Sequence, residues 1–258
     1  MSVARQTPRL YEPAPQPRPA LRVFCFPYAG AGPGMFRAWA GRLGADVEVA
    51  GIRLPGRESR WSETPHRDWP HAVADAVETL TARLDRPYVL FGHSFGAMLA
   101  YEVARAIQLL GLQLPRALVL SGCRSPQIAP VSDTPWNAPS ETLWRWVADM
   151  EGTPAGVLAD EGLREAFEPV LRADLQLAEV WRNSPEVALD VPIVTFGAAD
   201  DPVAPPWALE GWADFGARGC ERVEFAGGHF FLHASEAAVL ARLADVCAAS
   251  GAHARAAC

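Results

Sequence analysis

The stretch YVLFGHSFGAMLAYEVAR, residues 88–105, decides how this chain folds. Its first half is an apolar run of strand-forming residues, and its second half places apolar residues at helical spacing. Between the two halves lies the sequence GHSFG (92–96), a G-x-S-x-G pattern. A tight turn from a strand into a helix would expose the Ser94 hydroxyl near a helix N-terminus, where developing negative charge is stabilised. The segment therefore predicts a nucleophilic serine, the alternative being a glycine-rich turn that only packs a helix.

Short apolar strands alternate with helical patterns on both sides of this turn. The strands are predicted at residues 21–26, 47–54, 88–91, 117–121, 193–196 and 222–225. The clearest helical patterns lie at residues 68–84, 95–110, 206–215 and 234–249. Strands that alternate with helices in this way indicate an α/β fold, whose mostly parallel sheet is covered by helices on both faces.

Two segments depart from the alternation. Residues 1–20 contain five prolines, too many for a helix or a central strand, so we predict a loosely ordered, flexible leader there. Residues 126–190 contain several helical patterns and no convincing strand, and they hold four of the nine tryptophans. We predict that this lid segment (126–190) is a helical insertion that caps the core formed by 21–125 and 191–250; a thicker helix layer is the alternative.

Composition narrows the function classes. The 258 residues carry a formal net charge of −7, and all 23 basic residues are arginine. The acidic balance argues against a nucleic-acid partner, and the lack of lysine excludes a Schiff-base lysine. The five cysteines contain no C-x-x-C pair, so neither a zinc cage nor a disulfide framework is indicated. The first twenty residues lack a secretory signal and no apolar run is long enough to cross a membrane, so we expect a cytoplasmic protein.

A serine nucleophile needs a base to take its proton, and two of the six histidines are placed to supply one. His229 follows the last predicted strand and two glycines, so its side chain can reach the carboxyl edge of the sheet. His233 lies at the start of the last helix, and we therefore favour His229. The H-x-x-x-H spacing of this pair would also suit a metal, but Phe230 stands where metalloproteases have glutamate, so we predict no metal.

An acidic residue must hold the imidazole in the correct tautomer and stabilise its charged form. Asp200 and Asp201 directly follow the predicted strand 193–196, and either could serve. The alternative for each is the N-cap of the next helix. With either residue the chain order is serine, aspartate, histidine, which is the order of the α/β-hydrolases.

Hydrolysis through a serine also needs hydrogen-bond donors for the oxyanion. One donor is expected from the backbone N–H of Phe95, the residue after the nucleophile. A second is expected from the loop at residues 27–32, whose small residues let the backbone approach a bound carbonyl. An ordinary glycine-rich turn is the alternative for this loop.

Six motifs along the chain resemble those of one family. They are FCFPYAGAG (24–32), LPGRESR (54–60), FGHSFGAMLAYEVAR (91–105), SGCRSPQ (121–127), DDP (200–202) and GGHFFL (227–232). With this series, over about residues 21–245, the chain resembles the type II thioesterases, the stand-alone editing enzymes of modular polyketide and nonribosomal peptide synthases. The stretch GTPAGVL (152–158) also resembles the family's lid. The resemblance implies an α/β-hydrolase fold and hydrolysis of acyl groups from the phosphopantetheine arm of acyl or peptidyl carrier proteins.

The resemblance also implies roles for single residues. Ser94 would be the nucleophile, His229 the base, and Asp201, the second aspartate of the pair, the acid of the triad. Ala29 and Phe95 would supply the N–H groups of the oxyanion hole. No metal or organic cofactor is implied, since the phosphopantetheine belongs to the substrate protein.

The chain departs from the family pattern at two positions. Phe95 stands where methionine or leucine is usual, and we expect it to narrow the acyl entrance. Ala31 interrupts the usual run of two glycines, which leaves the conformation of the 27–32 loop open.

Other functions and one docking hypothesis follow from the same residues. A medium-chain fatty acyl thioesterase or a general esterase would share the scaffold, and a non-catalytic carrier-binding module is the alternative of a different class.

Carrier proteins are generally acidic and this chain is itself negative, so attraction between the whole molecules cannot drive docking. We therefore predict a local patch of arginines at the pocket mouth. Arg57, Arg60 and Arg124 are the candidates, the alternative being ordinary ion-paired residues.

Overall fold

The computed structural model describes residues 9–131, 134–182 and 188–256, with side chains described as far as 251. Its strands are β1 (Leu10–Tyr11), β2 (Leu21–Phe26), β3 (Val47–Ile52), β4 (Tyr88–His93), β5 (Ala117–Ser121), β6 (Ile193–Ala198) and β7 (Cys220–Phe225). Its helices are α1 (Trp69–Thr81), α2 (Phe95–Leu109), α3 (Ser140–Asp149), α4 (Ala155–Ala159), α5 (Glu161–Val180), α6 (Pro206–Leu209), α7 (Phe231–Ala234) and α8 (Glu236–Ala256). Three 3₁₀ turns cover Pro33–Trp39, Glu58–Arg60 and Glu210–Asp214.

The strands form one sheet in the order β1-β3-β2-β4-β5-β6-β7. All neighbouring pairs are parallel except β1 with β3. The register pairs His93 with Ser121 and Ser121 with Phe196, so the carboxyl ends of β4, β5 and β6 meet at one edge of the sheet. The predicted α/β-hydrolase class, with its mostly parallel sheet, is confirmed.

Each face of the sheet packs against its own layer of helices. Alternate residues of β4 point to opposite faces, as the two-residue period of a strand requires. Leu90 belongs to the cluster that contains α1 and α2, and Phe91 belongs to the cluster that contains α8 and the 3₁₀ turn at Pro33–Trp39. All six residues of β2, β4 and β6 are buried, so these strands form the centre of the core.

The leader is more ordered than the sequence suggests. Leu10 and Tyr11 pair in antiparallel fashion with Ile52 and Gly51 of β3, and the backbone N–H of Gln16 donates to Glu48 at 2.8 Å. The prediction of a loosely ordered leader is therefore wrong for these residues, since an edge strand tolerates nearby prolines. Residues 1–8 lie outside the described part of the chain.

Two predicted helices differ in detail from the structure. The helix expected over 206–215 is divided into α6 and the 3₁₀ turn at Glu210–Asp214. The last helix, expected over 234–249, begins at Glu236 after the short α7 and continues to Ala256. In both cases the apolar spacing marked the position of the element, while the hydrogen bonds at its ends set the bounds.

The described part of the lid segment contains α3, α4 and α5. Apolar residues of α3 and α5 form a third cluster, whose buried members are Leu143, Trp144, Val147, Leu171 and Leu175. Near the end of the lid segment, Leu189 forms an isolated parallel β-bridge with Gly216 of the core. The boundaries of the lid segment and its action as a lid stay predictions.

No helix among the described residues is both long and apolar enough to span a bilayer. The cytoplasmic location expected from the sequence stays a prediction.

Candidate active site

Ser94 lies at the sharp turn between β4 and α2. Its backbone has φ +55° and ψ −121°, a conformation that L-residues rarely adopt and that costs on the order of 1–3 kcal/mol. The two flanking glycines are required by space: a Cβ on Gly92 would lie 2.2 Å from the carbonyl oxygen of Gly96, and one on Gly96 would lie 2.2 Å from that of Phe26. The backbone N–H of Ser94 donates to Ser121 at 2.8 Å, which anchors the turn to β5.

His229 reaches Ser94 from the loop after β7. Its Nε2 lies 2.9 Å from Ser94 Oγ, and the side chain is 5% exposed. Gly227, with φ +108°, lets the chain turn back toward the sheet edge before the histidine. His233, the alternative base, instead places Nε2 3.2 Å from the hydroxyl of Tyr28. The geometry therefore brings His229, and not His233, to the serine.

Asp201 holds the other side of the imidazole. Its two carboxylate oxygens lie 3.0 and 2.9 Å from His229 Nδ1, while Oδ1 also accepts the backbone N–H groups of Val203 at 2.8 Å and Ala204 at 2.9 Å. Burial acts to raise the pKa of Asp201, but these hydrogen bonds outweigh it and hold that pKa below its usual range. The ionised Asp201 carboxylate accepts a hydrogen bond from Nδ1–H of His229. Nε2 of the same ring then carries no proton and can accept a hydrogen bond from the Ser94 hydroxyl. Asp200 is exposed, and its backbone N–H donates to Gly227.

The β2 loop (residues 27–32) lies beside the serine. The backbone N–H of Ala31 donates to Tyr28 at 3.0 Å, and Gly30 has φ +76°, the arrangement of a type II turn with glycine in third position. Because the left-handed residue is Gly30, an alanine at position 31 fits the turn without strain. Neither Ala29 nor Phe95 donates its backbone N–H to another residue that the structure describes. Both groups are therefore available to a ligand.

An open cavity of about 920 Å³, including its mouth, lies over Ser94 and His229. The wall of this cavity is mainly apolar, and the lid segment supplies much of it. The lining residues from the lid segment include Trp146, Val147, Met150, Leu171 and Leu175. Phe95 lines it and packs against Trp69, with ring centroids 5.9 Å apart. Narrowing of the entrance by Phe95 stays a prediction.

The arginines expected at the pocket mouth are buried instead, each about 4% exposed. Arg57 forms a bidentate pair with Asp174, and Arg60 donates to both Glu63 and Asp75. Both guanidinium groups are paired with acids within the fold, so neither is available to a docking protein.

Arg124 is also turned inward. Its guanidinium lies 5.3 Å from the ring centroid of Trp181 and donates to backbone carbonyls of Ile128, Ala178 and Trp181. The prediction that Arg57, Arg60 and Arg124 form a docking patch at the pocket mouth is therefore wrong, because all three are buried. A loop position in the sequence does not reveal which acids and carbonyls the fold brings to an arginine.

Two further polar residues beside the site were not predicted. His93 is fully buried, with Nδ1 2.9 Å from Ser121 Oγ and its ring centroid 5.3 Å from that of His229. Burial above all holds the pKa of His93 well below its usual range, so this imidazole is neutral. Asp174 is the acid on α5 that pairs with Arg57. Its one signal in the sequence is an acid placed between the apolar positions Leu171 and Leu175 of a helical pattern.

No cluster of three or more histidine, cysteine or acidic side chains suited to a metal ion is found among the described residues. The groups that the structure brings together at the site are a hydroxyl, an imidazole, a carboxylate and two backbone N–H groups. Such a set suits acyl transfer through a serine.

Comparison with known proteins gives a consistent result. The family model of the thioesterase domain matches residues 21–247. The gramicidin S biosynthesis protein GrsT of Aneurinibacillus migulanus is 32% identical over 84% of this chain and 84% of its own length. The solved structure of the RedJ thioesterase from the prodiginine biosynthetic pathway of Streptomyces coelicolor is 35% identical, covers 90% of each chain and has a TM-score of 0.83. The type II thioesterase BorB from the borrelidin biosynthetic cluster is 30% identical, with a TM-score of 0.84 over 94% of this chain and 99% of that one.

Proposed function

This chain belongs to the thioesterase family, and we propose that it hydrolyses acyl thioesters on the phosphopantetheine arm of acyl or peptidyl carrier proteins. In this role it removes aberrant or stalled acyl groups from a polyketide or nonribosomal peptide synthase. The observation that carries the proposal is the hydrogen-bonded series from Ser94 Oγ through His229 to Asp201, set beneath an apolar cavity. Relatives whose names place them in gramicidin S and prodiginine biosynthesis support the choice of a synthase-bound substrate.

The first half of the reaction transfers the acyl group to the protein. Ser94 Oγ attacks the thioester carbonyl and gives its proton to His229 Nε2, while ionised Asp201 stabilises the imidazolium. The carbonyl oxygen becomes an oxyanion, which accepts hydrogen bonds from the N–H groups of Ala29 and Phe95. When the carbon–sulfur bond breaks, His229 protonates the departing thiol of the pantetheine arm.

The second half frees the serine. A water molecule attacks the acyl-enzyme ester while His229 takes its proton, and collapse of the second tetrahedral intermediate returns that proton to Ser94 Oγ. The products are a carboxylic acid and a carrier protein with a free thiol. No step requires a metal or an organic cofactor, because the thioester is already activated and the protein supplies both the base and the oxyanion donors.

A matched pair of substrates separates this function from the same-class alternatives. We compare kcat/KM for an acyl-carrier protein and for a p-nitrophenyl ester of the same acyl chain. A carrier-editing enzyme prefers the carrier substrate across several acyl groups, and a fatty acyl thioesterase acts on medium fatty chains alone. A general esterase shows no preference for the carrier. A binding module leaves both substrates intact.

A further inference from the structure

A buried ion pair joins helix α5 of the lid segment to the β2 loop. Asp174, which is 2% exposed, accepts from Arg57 Nη1 and Nη2, each at 3.0 Å. The same carboxylate accepts the backbone N–H of Gly30 at 2.8 Å, and Arg57 Nη1 also donates to the carbonyl of Ala31 at 3.1 Å. The pair therefore contacts the β2 loop through two backbone groups, one a donor and one an acceptor.

Together with one turn bond, these contacts fix the orientation of the peptide units in the β2 loop. Four consecutive peptide units link Tyr28 to Gly32, and each has one hydrogen bond. The turn bond from Ala31 N–H to the Tyr28 carbonyl holds the first and third units. Asp174 holds the second unit through Gly30 N–H, and Arg57 holds the fourth through the Ala31 carbonyl. The N–H of Ala29 belongs to the first unit, so its direction depends on a turn that the ion pair keeps closed.

We propose that Asp174 is a positioning residue, which aims the Ala29 N–H at the oxyanion by holding the β2 loop from helix α5. This inference rests on the proposed function for the role of Ala29. A buried ion pair is a poor device for stability alone, since well-packed apolar residues of similar volume often serve as well or better. Here the pair makes two hydrogen bonds to the backbone of a loop whose geometry the reaction needs, and an apolar pair could not make them.

The same helix also lines the acyl cavity. Leu171, one turn before Asp174, lies against the loop: a Cβ on Gly30 would meet Leu171 Cδ1 at 3.1 Å. Leu171 and Leu175, which flank Asp174 in the helix, both line the cavity over Ser94. A displacement of α5 by the acyl chain would therefore reach the oxyanion donor through Asp174.

The test compares Asp174→Ala and Asp174→Asn with Glu168→Gln. Glu168 is a matched control because it lies on α5, accepts from Trp144 and Arg172 within the lid segment, and among the described residues forms no hydrogen bond with the β2 loop. The readouts are kcat and KM on a short acyl-cysteamine thioester, and the affinity for an alkylboronic acid that forms a tetrahedral adduct with Ser94. Circular dichroism establishes that each variant is folded.

Loss of one oxyanion donor costs about 10²–10³ in kcat, so a misdirected donor in Asp174→Ala should cost about 10–100-fold with KM changed by less than about 3-fold. Boronate affinity should fall by the same factor as kcat, because both report binding of a tetrahedral centre. Asp174→Asn should lose less, since its amide oxygen can still accept from Gly30, and Glu168→Gln should match wild type. If Asp174→Ala fails to fold, Asp174→Asn carries the test, with a loss of at least about 3-fold in kcat expected.

An unchanged kcat in either folded variant overturns the inference. The inference is also overturned by a loss that appears in KM alone, by a kcat loss without a loss of boronate affinity, or by an equal loss in Glu168→Gln.

The rate at which a fluorophosphonate labels Ser94 separates this inference from the proposed function, because the labelling reaction needs no thioester. If wild type is labelled but leaves carrier thioesters intact, the proposed function fails, and slower labelling of the Asp174 variants still decides the role of Asp174.

Discussion

Replacing Asp201 with asparagine should disable the base while leaving the fold intact. In the structure Asp201 Oδ1 accepts two backbone N–H groups, at 2.8 and 2.9 Å. Only the amide oxygen of an asparagine can accept them, so the amide nitrogen must take the place of Oδ2, 2.9 Å from His229 Nδ1. An N–H at that place donates to Nδ1 and moves the ring proton to Nε2. Nε2 then faces Ser94 as a donor and cannot accept the serine proton.

The magnitude follows from this exchange of tautomers. The equivalent substitution in serine proteases lowers kcat by about 10⁴, which corresponds to ~5 kcal/mol of transition-state stabilisation. Asp200→Asn is the matched control, because Asp200 is an exposed neighbour, whereas the carboxylate at His229 Nδ1 is that of Asp201. Steady-state hydrolysis of an acyl-cysteamine thioester measures both variants. A larger loss in Asp200→Asn, or a loss below about 10-fold in Asp201→Asn, would refute the assignment.

The same variant has a consequence for stability. Because the pKa of Asp201 is lowered in the folded protein, its ionised form contributes stability that is present above the unfolded pKa of about 3.9. That contribution is lost as the pH falls through the lowered folded pKa. The difference in Tm between wild type and Asp201→Asn should therefore shrink as the pH is taken from 6 to below about 4. A difference that stays constant over this range would contradict the lowered pKa.

Three other predictions concern the buried arginines, the buried thiols and the lid segment. Alanine at any of the three buried arginines should lower Tm and reduce kcat/KM equally on carrier and cysteamine substrates; a loss confined to the carrier substrate, and reduced by salt, would restore a docking role. The thiols of Cys123 and Cys247 should react with Ellman's reagent only after unfolding, because burial raises the pKa of each to about 12; fast labelling of either residue in the native state, located by peptide mass mapping, would contradict this. Amide exchange should be faster in α3 and α4 than in β4 and β5, and equal protection would argue against a moving lid.

The parts of the fold that the sequence predicts best are those decided by neighbours in the chain. The turn at Ser94 is one, because the apolar strand, the two glycines and the apolar helix are all within fifteen residues of it. The position of His229 is another, since a strand followed by two glycines leads to the carboxyl edge of the sheet. Both inferences need only the period of the pattern and the space that glycine leaves.

The parts that the sequence does not predict depend on distant partners. Arg57 and Asp174 are 117 positions apart, so a loop arginine that looks free is in fact paired within the fold. The pairing of Leu10 with Ile52 is likewise set by an unpaired sheet edge, which no local pattern reveals. Asp200 and Asp201 differ only in the direction that the turn after β6 gives each side chain. Residue type alone could not separate them.

Intact-mass spectrometry of an acyl-loaded carrier protein tests the central claim most directly. Wild type and Ser94→Ala are incubated with the same carrier, and the loss of the acyl mass is followed over time. We predict that wild type returns the carrier to its free-thiol form, and that Ser94→Ala does so about 10⁴–10⁶-fold more slowly, because the triad acts as a unit. The account is contradicted if Ser94→Ala clears the carrier as fast as wild type, or if wild type cleaves a p-nitrophenyl ester while the acyl-carrier mass stays unchanged.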